Sequence, residues 1–212
     1  MTVSTDAQAL LDRLERTRPN NTQTRALAKE LGKSPALAAE LWNSGRFSAR
    51  MLSFLILDLK SVDVARMERM IADLESVEGK EQSQLLDWLI ANVIMKKAAL
   101  KDATAAWRDD PSTLRQRTFW SVQARSVRGG NHARNEELLA HIEQALATAP
   151  EKVQWNMNWC AAQIGIADER LRDRCLALGE LGLYRDYPVP KGCTSPFLPL
   201  WIGSVVSKQA TA

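Results

Sequence analysis

The 212-residue chain carries 28 Lys and Arg against 25 Asp and Glu, 45% apolar residues and 3 Cys. That length holds one domain, or at most two, around a continuous core. No apolar run reaches the roughly 18 residues of a membrane-spanning helix; the richest, 51–59, is broken by Asp58. The start, MTVSTDAQALLDRLERT, lacks a basic region followed by an apolar one, so no export signal is expected. Cys160, Cys175 and Cys193 are odd in number and widely spaced, which is no disulfide framework and points to a reduced, cytoplasmic compartment. The net charge of +3 is too small to identify a nucleic-acid partner, so the distribution of charge matters more.

Taken in chain order, the predicted elements are helices. Residues 6–17 place Ala7, Leu10, Leu11 and Leu14 on one face. A helix over 22–31 stops at Gly32, and Ser34-Pro35 reads as an N-cap with proline in the first turn, opening a helix to Trp42. Asn43-Ser44-Gly45 breaks it. Residues 47–59 are apolar on most sides, as in a helix buried between neighbours. Helices follow over 62–74, 82–95 and 98–107. Pro111-Ser112 opens one to Val127, which Gly129-Gly130-Asn131 ends. Then come 136–149, 151–164 and 168–181, with Gly165 and Gly182 as stops. Pro188 and Pro190 exclude helix from the stretch after Tyr184, and a helix over 197–207 closes the chain, with 208–212 expected to fray.

No alternating run rich in β-branched residues occurs, so the fold class is all-α. About a dozen short helices joined by tight turns match the logic of an α-solenoid superhelix built from degenerate, HEAT-like helical repeats. A helical bundle is the alternative. The expected organisation is one HEAT-like-repeat domain over 1–212, with 183–212 as a C-terminal cap segment.

Chemistry is signalled first by charge. Residues 111–135 contain Arg115, Arg117, Arg125, Arg128 and Arg134 and no Asp or Glu. Arg117 and Arg125 fall about two helical turns apart and Arg128 is near Arg125, so these side chains can share an edge. The small residues of Arg128-Gly-Gly-Asn allow backbone amides to approach a phosphate, which guanidinium forks also suit. The plain alternative is a solvated basic face. Of the 7 Trp, Trp42, Trp88 and Trp120 are read as core. Trp155 and Trp159, four apart, form an aromatic wall or a core stripe.

His132 and His141 lack metal-ligand spacing, and there is no CxxC, Walker A loop or GxGxxG. No metal or cofactor is therefore expected. Among the carboxylates, Glu81 lies near a helix start, where the dipole favours the ionised form.

Four segments in order, LAAELWNSGRFSAR (37–50), DLESVEGKE (73–81), LRQRT (114–118) and NWCAAQIG (158–165), resemble the DNA alkylation repair enzymes of the AlkD type, HEAT-like-repeat glycosylases that excise alkylated purines. The likeness runs over about 25–182. The family's catalytic segment has a tryptophan and, four residues on, an aspartate. Those positions look like Val77 and Glu81, so the aromatic is lost and an acid is kept. The family's phosphate-gripping arginine matches Arg117 before Thr118, and its second active-site tryptophan matches Trp159. The ending GLYRDYPVPKGCTSPFLPLWI departs from the pattern.

The resemblance implies excision of N3- or N7-alkylated, cationic purines from duplex DNA through an oxocarbenium-like sugar. A carboxylate about 4 Å from that charge contributes on the order of 4 kcal/mol at an effective dielectric near 20. Glu81 is expected to stabilise the cation and position water, and Trp159 to lie against the deoxyribose. Arg117 is expected to hold the phosphate beside the lesion, while Arg115, Arg125 and Arg128 track the backbone. The expected partner is duplex DNA with alkylated bases, engaged by a monomer without membrane, metal or cofactor. The alternative is a non-catalytic HEAT-like module that binds DNA or protein.

Overall fold

A computed structural model describes residues 4–210. Among these there are twelve α-helices, four short 3-10 turns and no strand. The all-α reading therefore stands. The chain divides into two compact units, with the break between Ala103 and Thr104.

The first unit holds α1 (Thr5–Thr17), α2 (Asn21–Leu31), α3 (Pro35–Asn43), α4 (Phe47–Ile56), α5 (Val64–Glu75), α6 (Gly79–Asn92) and α7 (Ala98–Ala103). The buried residues of α1 are Ala7, Leu10, Leu11 and Leu14, the stripe that the 3.6 period requires, and the Ser4 side chain accepts the Ala7 amide at its start. At the head of α2 a reciprocal capping box joins Asn20 and Gln23. The central element is α4, which packs against α2, α3 and α6. It buries Ala49, Arg50, Met51, Leu52, Ser53, Phe54 and Ile56, as its nearly all-round apolar sequence demands. The Arg50 guanidinium survives in this setting because it lies over the Trp42 ring, 4.7 Å from its centroid, and donates from Nε to the Trp42 carbonyl.

The second unit begins with a 3-10 turn, Thr104–Trp107, followed by α8 (Thr113–Ser126), α9 (His132–Ala145), α10 (Glu151–Ala167), α11 (Glu169–Ala177) and α12 (Leu198–Ala210). Here α10 is the hub, in contact with α8, α9, α11 and α12. Its small residues Ala161, Ala162 and Gly165 are buried where neighbours come close. Trp120 of α8, 1% exposed, meets Phe119 edge-on at 5.0 Å.

Several boundaries differ from the sequence reading for local reasons. Gly165 is no stop: α10 runs on to Ala167. A Cβ at Gly165 would lie 2.7 Å from Ile202 Cδ1 and 3.0 Å from Cys175 Cβ, so the glycine serves close packing against α11 and α12. Ser34 makes no side-chain cap; its amide donates instead to the Ile56 carbonyl. Helix α9 starts at His132, four residues earlier than periodicity suggests. Buried Asn135 donates there to the Arg128 carbonyl and fixes the loop to the helix. At the C-terminus α12 remains helical through Ala210, past the expected fraying point at Lys208. Thr211 and Ala212 lie outside the described residues.

Candidate nucleic-acid interface

In the second unit, two of the four basic candidates reach α10 from α8. Arg117 is 5% exposed, and its Nε donates to Asn156 Oδ1 at 3.2 Å. Two turns further along α8, the Arg125 guanidinium lies 4.5 Å from the centroid of the half-buried Trp159 ring. Asn156 and Trp159 are three apart on α10, hence neighbours on one face. Arg117 and Arg125, eight residues apart on α8, thus each meet a residue of α10, Arg117 at Asn156 and Arg125 at Trp159.

Arg115 and Arg128 are placed elsewhere. Arg115 points roughly 200° around α8 from Arg117; it pairs with Asp110 at 3.2 Å and lies 5.3 Å from the Trp107 ring centroid. Arg128 folds back on the end of its own helix, donating to the carbonyls of Arg125 and Val127, where a cation complements the helix dipole. Arg134 is engaged as well, by Glu137 and Gln123.

The glycine loop between α8 and α9 is small for a packing reason. A Cβ on Gly129 would run into the Ala167 carbonyl oxygen. Beside this contact is buried Asp168, whose Oδ2 meets His132 Nδ1 at 2.8 Å and accepts from Asn135 Nδ2 at 3.3 Å. Burial would raise the Asp168 carboxyl, but these hydrogen bonds and the charges of His132 and Arg170 outweigh it and hold it below the usual carboxylate range.

In the first unit, Glu81 stands exposed in the first turn of α6. It contributes to a cleft of about 630 Å³ shared with Arg18, Arg46, Phe47, Ser48 and Glu15. Arg46 and Glu15 are paired there at 2.6 Å. Val77 lies in the turn between α5 and α6, so Val77 and Glu81 do not stand side by side on one helix. Within α6 the same four-residue spacing joins Ser83 and Asp87, both partly buried. Asp87 is a carboxylate that the sequence reading did not weigh.

Trp42, Trp88 and Trp120 are core, at 7%, 8% and 1% exposure. Trp155 is not: 37% exposed, it packs against Tyr184 and Tyr187 from the irregular segment 182–197, at centroid distances of 5.1 and 5.3 Å. Among the described residues no group of three or more His, Cys, Asp or Glu could hold a metal ion, and no helix is long and apolar enough to cross a membrane.

Three comparisons place this geometry among known proteins. No curated protein sequence matches the chain. A solved structure, described as "a new family of proteins related to the HEAT-like repeat DNA glycosylases with affinity for branched DNA structures", shares its fold with a TM-score of 0.61 at 15% identity, over 88% of this chain and 78% of the other. The HEAT-like reading of the helices therefore stands. The profile of the DNA alkylation repair enzymes matches residues 19–179. Because that match spans most of the chain, the protein belongs to the DNA alkylation repair enzyme family.

Proposed function

We propose that the protein binds duplex DNA and hydrolyses the N-glycosidic bond of cationic, N3- or N7-alkylated purines. The observation that carries this reading is on α8 and α10, where the Arg125 guanidinium lies over the half-buried Trp159 ring. Guanidinium groups suit phosphate oxygens, and a half-exposed tryptophan suits a sugar or base face. The bond to a cationic base breaks without protonation of the leaving group, so the main demand is an anion near the sugar as positive charge develops.

Carboxylate candidates stand on α6 of the first unit. Glu81 stands exposed in its first turn. Asp87, two turns into the helix and partly buried, is the second carboxylate of this element. Base release from duplex DNA carrying 7-methylguanine or 3-methyladenine tests the reading. The expected result is release above the uncatalysed rate, reduced about 10²- to 10³-fold by loss of the acting carboxylate. Glu81→Gln and Asp87→Asn, measured side by side, identify which acid acts, and Arg117→Ala weakens DNA engagement. Binding without release supports the second reading, a non-catalytic DNA-binding module. That reading is favoured by Val77 in place of the family's aromatic and by the affinity for branched DNA described for the structural relative.

A further inference from the structure

Four of the tryptophans, Trp42, Trp88, Trp107 and Trp120, are buried to 8% exposure or less, as large apolar rings ordinarily are. Trp155 at 37% and Tyr187 at 48% are conspicuous exceptions, and they touch one another. Their exposure is built in. Segment 182–197 folds back along α10, fastened by Tyr184 Oη on Gln154 Oε1 and by Asn158 Nδ2 donating to the Pro196 carbonyl. Tyr184 takes a left-handed backbone conformation, φ +60°, which a side-chain-bearing residue adopts only when its surroundings enforce it. In that pose its ring stands edge-on to Trp155 at 82° and props it.

The three rings lie 5.1 to 6.1 Å apart, in mutual contact. That spacing leaves no slot for a cation between them, so the cluster is not a cage. It offers outward faces instead. Trp155 and Trp159 are one turn apart on α10, so the row continues for roughly 6 Å to the ring covered by Arg125. In sequence, Lys152, Arg185 and Lys191 stand near these residues and outnumber Glu151 and Asp186; Arg185 lies over the Phe197 ring at 5.4 Å, and Glu151 acts on Tyr184. Exposed aromatic faces in line with the Arg125 guanidinium match the chemistry of single-stranded nucleic acid, whose bases stack while its phosphates seek cations.

We propose that Trp155 and Tyr187 form a stacking platform for an unpaired nucleobase of a single-stranded DNA segment, continuous with the Arg125–Trp159 cluster. The proposal rests on the DNA-binding reading above and assigns a role to a segment which that reading leaves unused.

Fluorescence anisotropy at low salt tests it with a blunt 20-base-pair duplex, the same duplex with a six-nucleotide overhang, and a free oligothymidylate. Wild type binds the overhang duplex more tightly than the blunt one. Trp155→Ala with Tyr187→Ala removes that gain, by about ten- to hundredfold per stacked base, and leaves blunt-duplex binding unchanged. Trp155→Phe, which keeps a ring, retains most of it. Tyr187→Ala alone, at the most exposed ring, serves if the double variant melts early. Equal affinity for blunt and overhang duplexes, or a gain that survives the substitutions, overturns the platform while leaving duplex binding standing. Oligothymidylate bound through Trp155 with no duplex bound supports the platform and overturns the duplex reading. No binding to any probe overturns both. A concentration-dependent dimer that the double variant abolishes assigns the face to a second copy of the chain and overturns the proposal.

Discussion

Asp168 is a buried carboxylate held by His132 and Asn135. Its carboxyl is held below the ordinary range, so the native state sheds a proton that the unfolded chain keeps in mildly acidic solution. The sign follows: the stabilisation is present above the ordinary carboxylate pKa and is lost as pH falls through the lowered native value. Asp168→Asn is expected to cost about 1–3 kcal/mol near neutrality and to flatten the acid-side slope of melting temperature against pH; an unchanged slope would assign the acid sensitivity to other carboxylates. The two arginines that reach α10 are expected to separate by burial. Removing buried Arg117 leaves Asn156 without its partner and costs stability as well as DNA affinity. Arg125→Ala, at a half-buried position, is expected to cost affinity while changing stability by no more than about 0.5 kcal/mol. Urea unfolding of each variant beside its binding curve checks the distinction.

At the scale of the helix, α10 is the element on which the second unit depends. Gly165→Ala places a methyl group against Ile202 and Cys175, and overpacking of this kind costs about 1–3 kcal/mol. Trp120→Ala opens a cavity behind α8 and is expected to cost about 3–5 kcal/mol in denaturant melts. Gly165 also shows where sequence reading ends. A glycine flanked by Ile164 and Ile166 looks like a C-cap until the helices that crowd it are known. By contrast, the stripe of α1 and the all-round burial of α4 were legible, because the hydrophobic period depends on local spacing alone. The contacts of Arg117 and Arg125 were half legible: spacing along α8 puts the arginines toward one side, but only the fold supplies Asn156 and Trp159 of α10. The pairing of Arg115 with Asp110 was not legible, because Asp110 lies one residue outside the acid-free stretch. The ring cluster of Trp155, Tyr184 and Tyr187 joins residues about thirty apart through an irregular segment, for which no periodic signal exists.

Over the whole molecule, DNA affinity is expected to fall linearly on a log–log plot against salt as counterions are released, with Arg125→Ala lowering the slope by about one. A slope that Arg125→Ala leaves unchanged would remove that side chain from the phosphate contacts. The three cysteines offer a way to follow the fold during such measurements. Cys160 and Cys175 are buried, and burial pushes both thiols up, Cys175 to about 12, so neither presents a thiolate at neutral pH. Cys193 is exposed in the segment that props Trp155. A maleimide dye should therefore attach once to the native chain and three times after denaturation. The single label would sit on the same irregular segment as Tyr184 and Tyr187, where its emission could register the arrival of an oligonucleotide strand without any substitution.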